Sequence, residues 1–183
     1  VLDGGSAYGV ATKEIIKEGG IVIMNDSCEK HLYYCAQNSS EEEKKRLYLY
    51  KGLLPNEVNL PENSIGALHL SRVMHFFHPD DIENMFVKAK SWLVNNGLFF
   101  IIIMSPSHHS ASKEQIKIYN DNYKKGIFFP GEIKEWTITS GQSFKDTCEA
   151  YLHCMDTRTM IKLAERYNFI VKKLQLYGGP NDK

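Results

Sequence analysis

The residues best suited to chemistry lie at the very start of the chain, in VLDGGSAYGVAT. An apolar pair reads as the end of a strand and runs into Asp3. Gly4, Gly5 and Gly9 follow, and then a helical stripe of Val10, Ala11, Ile15 and Ile16. Glycines at such a junction let a ligand approach main-chain atoms that a Cβ would block. The helix, expected from about Ala7, would point free N–H groups at the same spot. In an open parallel sheet, ligands bind at the carboxyl ends of the strands. A carboxylate at Asp3 would repel a pyrophosphate and attract an ammonium or sulfonium group. The dinucleotide spacing G-x-G-x-x-G also fails. Counted from Gly5, the second position is Ala7 and the third is Val10. Asp26 closes the second apolar run, where an acid suits the two hydroxyls of a ribose.

The histidines are the candidate bases. His75 and His78 flank HFFH just beyond Ser71. Three apart, they also have the spacing to share a metal, although packing of His75 and a helix start at His78 account for both. His108 and His109 come after the apolar run 98–104 and join His75 as candidates to meet a substrate. His31 and His69 read as structural, and His153 could reach the site from near the last helix. The aromatic residues Tyr119, Tyr123, Phe128, Phe129 and Trp136 would either wall a small-molecule pocket or form a small core of their own. Tyr123, with His75 and His109, is a candidate for catalysis. Tyr119, Tyr123 and Trp136 complete the candidate substrate contacts. The four cysteines form no C-x-x-C pair and read as free thiols in a reducing compartment. Cys28 and Cys35, seven apart on an expected helix, would form a buried pair, and no metal site is expected.

Elements that could position these residues alternate along the chain. Residues 1–3 end a strand, and the helix after them stops at Gly19-Gly20. IVIM at 21–24 is a buried strand, and Asn25-Asp26-Ser27 caps a helix running through Cys35. EEEKKR at 41–46 is a solvated helix face with i,i+4 pairs. LYLY at 47–50 and IGALHL at 65–70 are strands, joined by a turn-rich loop holding Pro55, Asn56, Pro61 and Asn63. Pro79-Asp80-Asp81 opens the clearest helix, with Ile82, Met85, Phe86, Ala89, Trp92 and Leu93 on one face. Asn95-Asn96-Gly97 would end it, and LFFIIIM would be a central strand, apolar on both sides. Segment 105–150 breaks the rhythm and reads as a lid or inserted subdomain, with a helix at 112–124. Asp156-Thr157 caps a late helix that Asn168 ends, and FIVKKLQLY at 169–177 is a last strand. The pattern predicts an α/β fold: a Rossmann-like, mostly parallel sheet with helices on both faces and a lid after the fifth strand.

The bulk numbers fit one domain. The chain has 183 residues, 43% hydrophobic and 24% charged, with 22 basic and 22 acidic side chains. A net charge of zero gives no overall field to draw it to nucleic acid or an anionic membrane, and Lys124-Lys125 is too small a patch to change that. No apolar run is long enough to span a bilayer. A cytoplasmic protein acting on a small molecule is expected, of unspecified oligomeric state. Val1 already lies in the opening strand, so upstream chain is expected to be missing.

VLDGGSAYGVAT followed by IVIMND resembles the first two motifs of the class I S-adenosylmethionine-dependent methyltransferases. LHLSRVMHFFHPDDIENMFVKAKSWLVNNGLFFIIIM resembles their fourth strand, the helix after it and their fifth strand. TRTMIKLAERYNFIVKKLQLY resembles the closing helix and sixth strand. The resemblance covers most of the chain outside 105–150, and it implies strand order 3-2-1-4-5 with a later edge strand. It implies S-adenosylmethionine as cofactor, with S-adenosylhomocysteine as product. By the same resemblance, Asp3, Gly4, Gly5, Ser6, Ala7, Tyr8 and Gly9 would hold the methionine end. Asp26 would take the ribose hydroxyls with Ser27 beside it. Gly52, Leu53 and Leu54 would flank the adenine, and Ser71 and Arg72 would line the floor near the methyl group. There are departures from the family pattern: Ala7 replaces a common glycine, Leu53 and Gly66 replace common acids, and Asn95-Asn96-Gly97 replaces Pro-Gly-Gly. A seventh strand and the helices that normally precede the first strand are not found, so a fragment of a longer protein is expected. Rival readings are a protein that kept the fold and lost catalysis, a subunit that needs a partner chain to complete its site, and an NAD(P)-binding oxidoreductase.

Overall fold

The computed structural model describes residues 1–107, 111–133 and 151–176. They fall into two compact units, Val1–Ile103 and Met104–Lys183.

The first unit is a layered α/β sheet. Its strands are β1 (Leu2–Gly4), β2 (Val22–Asp26), β3 (Leu47–Lys51), β4 (Ile65–Ser71) and β5 (Leu93–Ile102). They pair in the order β3-β2-β1-β4-β5, and every pairing is parallel. Between them run α1 (Val10–Lys17), α2 (Glu29–Gln37), the short α3 (Glu41–Lys44) and α4 (Pro79–Trp92). The core explains the order. Leu2, Val22, Met24, Leu68 and Leu70 are fully buried, so β1, β2 and β4 are the interior strands. α4 lays Ile82, Met85, Phe86, Ala89 and Trp92 against the sheet, and the Phe86 ring meets the Phe99 ring edge-on at 5.4 Å.

Several sequence expectations move. The first helix begins at Val10, not near Ala7. Gly5, Ala7 and Gly9 all have positive φ, which holds the chain out of the helix until Gly9 serves as its N-cap. α2 is capped at Cys28, whose side chain makes no cap hydrogen bond; its amide donates to Asp26 instead. Cys28 is therefore half-buried and only Cys35 is buried, so the two do not form a buried pair. The charged face of α3 pairs Lys44 with Glu41 and Lys45 with Glu42 at i,i+3, while Arg46 donates to the Gly19 carbonyl. α4 stops at Trp92, and Asn95, Asn96 and Gly97 lie inside β5.

Two strand expectations are corrected. β5 is an edge strand of the described sheet, with Leu98 and Phe100 46% and 49% exposed. Residues 169–176 form no strand, and Ile170 and Leu176 stand exposed. No described strand pairs with them, and apolar alternation forms a strand only where a sheet edge accepts it.

The second unit contains α5 (Lys113–Lys124), α6 (Thr157–Arg166) and a two-stranded antiparallel pair, β6 (Glu132–Ile133) and β7 (Leu152–His153). Ser112 and Gln115 form a reciprocal capping box at the start of α5. Cys154 is buried against Met104, Ala111 and Leu152, and that burial pushes its thiol up to about 12. Asp156 caps α6 by accepting from the Thr159 amide at 2.9 Å. Burial raises the Asp156 carboxyl, but hydrogen bonds from Thr159 and Arg158 outweigh it and leave the group below its ordinary range.

Asp156→Ala removes this cap and should cost about 0.5–2 kcal/mol in urea unfolding at neutral pH. A folded-state carboxyl below its unfolded value stabilises above the unfolded value and loses that contribution as pH falls through the folded one. The gap between wild type and variant should therefore narrow on acidification. A gap that widens in acid would contradict the assignment.

Candidate functional site

Local chemistry shapes the turn after β1. Gly5, Ala7 and Gly9 sit at φ 60°, 47° and 78°. A Cβ on Gly9 would lie 2.6 Å from the Cys35 sulfur, and one on Gly5 would lie 2.5 Å from Val73. The glycines thus admit neighbouring protein as well as bare backbone. A Cβ on Gly4 would strike Leu54 and Leu70, so the loop after β3 packs directly beneath the turn.

The turn is bolted to the end of β2. The Ser6 amide and hydroxyl both donate to the Asn25 carbonyl at 2.9 Å. The Ala7 amide donates to Asp26 Oδ2 at 2.9 Å. Asp26 Oδ1 accepts from the Cys28 amide at 2.8 Å and lies 3.2 Å from His31 Nδ1. The end of β3 joins from the other side. The Gly52 amide donates to the Asp26 carbonyl, and Asn25 Nδ2 donates to the carbonyls of Tyr50 and Gly52. Asn25 is 1% exposed, and its Oδ1 is left without a hydrogen-bond partner.

Asp3 is placed differently from Asp26. It is 2% exposed, and both carboxylate oxygens are engaged. Thr12 Oγ1 donates to one at 2.6 Å, and His69 Nδ1 lies 2.8 Å from the other. The pair follows from register: Asp3 and His69 are opposite one another in the parallel β1–β4 ladder. A buried carboxylate needs such donors, because burying it bare costs far more than burying a neutral group.

Asp3, the 5–9 turn, Asp26, Gly52 and Leu54 are thus brought together in the first unit. Ser27 and Leu53 are exposed beside them, with Leu53 at 53%. Ser71 ends β4 one residue beyond the Gly4–Leu70 pair, and Arg72 follows with a positive φ. His75 is buried, its ring 4.3 Å from that of Phe76. In the second unit Tyr119 is buried, and burial together with the neighbouring Asp156 raises its hydroxyl to about 12. The Arg158 guanidinium covers Tyr123 at 3.7 Å from the ring centre. Both tyrosines thus contribute to the packing of that unit. His108, His109, Trp136 and Cys148 lie outside the described residues. Among the described residues no group of three His, Cys, Asp or Glu could hold a metal, and no helix is long and apolar enough to cross a membrane.

Sequence reasoning missed His31 and His69 as partners of the two acids. It also missed Thr12, whose signal was a hydroxyl on the inward face of α1 four before buried Ile16. Nothing local marked the histidines, since both depend on contacts with residues distant in the fold or around a turn.

The fold is shared with known structures. The chain aligns with an S-adenosylmethionine-dependent methyltransferase from Mesorhizobium loti at TM-score 0.64 and 18% identity, covering 94% of this chain and 74% of that one. It aligns with a similarly described methyltransferase from Methanosarcina mazei at TM-score 0.67 and 13% identity, covering 91% and 77%. The glycopeptide N-methyltransferase MtfA complexed with S-adenosyl-L-methionine aligns at TM-score 0.59 and 12% identity, covering 91% and 69%. In another MtfA structure the chain spans about half the length, 51%. No family model and no curated protein matches the sequence. The chain has the class I methyltransferase fold: a parallel sheet in Rossmann-like order with a glycine turn after its first strand.

Gly9→Ala tests the turn. Left-handed backbone costs a residue with a Cβ about 1–2 kcal/mol, and the added carbon meets Cys35. The urea midpoint should fall accordingly; an unchanged midpoint would mean the turn is not held as described.

Proposed function

We propose that this protein binds S-adenosylmethionine at the carboxyl ends of β1, β2 and β3 and transfers its methyl group to an acceptor. The observation that carries the proposal is Asp26. An ionised carboxylate offers about four acceptor positions. The Ala7 amide, the Cys28 amide and His31 account for three of them, which leaves one for a ribose hydroxyl. Beside it, exposed Leu53 offers an apolar platform for a base, and the 5–9 turn bares backbone for the amino-acid end. These residues fit the group.

When bound, the cofactor would supply an electrophilic methyl carbon on its sulfonium. The chain's own part is positioning, and alignment alone supplies roughly 7–11 kcal/mol in well-oriented reactions. Asp26 orients the ribose. Asp3, buried to 2% exposure and bonded to Thr12 of α1 and His69 of β4, acts on a methionine ammonium through its field. Ser71 and Arg72 form the floor at the end of β4. Any proton the acceptor carries would leave to a base or to water. His75 is the proposed base. An acceptor of small-molecule size is proposed on the neutral charge of the chain.

Calorimetric titration with S-adenosylhomocysteine, with NAD as control, tests this. Saturable binding of the first alone is expected, and Asp26→Ala should weaken it by on the order of 1.5–3 kcal/mol for each hydrogen bond lost to the charged group. Wild-type affinity in a folded Asp26→Ala variant would remove the ribose assignment. Binding of NAD alone would overturn the cofactor.

A further inference from the structure

The loop after β3 is held by α4, an element from the other side of the β4 crossover. The hold begins inside the loop itself. The Leu53 amide donates to Glu57 Oε2, and the Glu57 amide donates back to the Leu53 carbonyl, both at 2.8 Å. Leu54 is buried beneath Gly4, and Val58 is fully buried. The hold from outside comes from one polar stripe of α4. Asp81 Oδ1 accepts from Asn56 Nδ2 at 2.8 Å, and Asn84 Nδ2 donates to Asn56 Oδ1 at 3.1 Å. One turn on, Lys88 Nζ donates to the Pro55 and Val58 carbonyls and to Asn59 Oδ1, at 2.7, 2.8 and 2.8 Å. Positions 81, 84 and 88 share one helix face.

Lys88 thereby uses all three of its ammonium donors on one loop. Its ammonium also lies over the Trp92 ring at 5.6 Å, and partial desolvation lowers its pKa. A lysine serving only solubility would keep its charge in water, whereas this one spends it on backbone carbonyls. Leu53 is the large side chain that this arrangement leaves exposed, on a backbone fixed at both ends.

We infer that Lys88 is a positioning residue for the cofactor: through its three bonds to residues 55–59 it holds Leu53 as a pre-set apolar platform for the adenine ring. The inference rests on the proposed cofactor site. Preorganisation of this kind raises affinity by removing an ordering cost from the binding step.

Two measurements separate the parts. Hydrogen exchange of the unliganded protein reads the clamp alone. Lys88→Met should speed exchange of the amides at 53–59 and leave β1 and β2 unchanged, and Lys88→Arg should restore most of the protection. Unchanged exchange in the loop would overturn the clamp. Calorimetry with S-adenosylhomocysteine reads the consequence. Affinity should fall roughly tenfold in Lys88→Met, which corresponds to about 1.4 kcal/mol, and recover in Lys88→Arg. Combining Lys88→Met with Leu53→Ala should weaken binding no more than the stronger single change, because both act on one contact. Additive losses, or full affinity in Lys88→Met, would overturn the positioning role while leaving the cofactor assignment standing. Failure of the wild type to bind would overturn the cofactor site and, with it, the role given to Lys88. If Lys88→Met does not fold, Asn56→Ala removes the Asp81 and Asn84 contacts and should show the same pattern at smaller amplitude.

Discussion

The hydrogen bond from the Ala7 amide to the Asp26 carboxylate is the constraint on which the rest of the site depends. Ala7 is the one residue of the turn that carries a Cβ at positive φ, so its conformation needs support from outside. It persists because a nearly buried acid at the end of the adjacent strand accepts its amide and, with the other oxygen, the amide that opens α2. One carboxylate thus ties the turn before α1 to the N-cap of α2. The parallel pairing of β1 with β2 brings that acid level with the turn.

Polar groups inside the first unit are placed by the same logic. Asp3 lies deeper than Asp26, and Thr12 and His69 compensate it. Asn25 spends its amide donors on the end of β3. Each links two elements that are separate in sequence. With the Ser6 bonds to Asn25, they tie the ends of β1, β2 and β3 to one another.

Preorganisation is what the proposed chemistry would ask of this chain. Methyl transfer needs alignment more than it needs a catalytic side chain. A site built of glycine turn, carboxylate and exposed leucine suits that demand. The fold is kept at 12–18% identity to the methyltransferases that share it, because many sequences bury the same sheet.

Patterns of period and punctuation made most of the first unit legible. The buried runs gave β2, β4 and part of β5, the stripe of α4 was plain, and the glycines with Asp3 and Asp26 marked the turn at the ends of β1 and β2. These signals are local: side-chain spacing, caps and bare backbone act within a few residues. What the sequence could not settle was decided by partners across the fold. The conformation of the turn before α1 waited on Asp26, and the exposure of one face of β5 on the absence of a described neighbour beyond it. Likewise, 169–176 carries the alternation of a strand but pairs with no described strand. His69 and Lys88 became informative only once the tertiary structure set Asp3 opposite one and residues 55–59 against the other. A residue's type and spacing fix what it can bond; only the folded chain fixes what is within 3 Å of it.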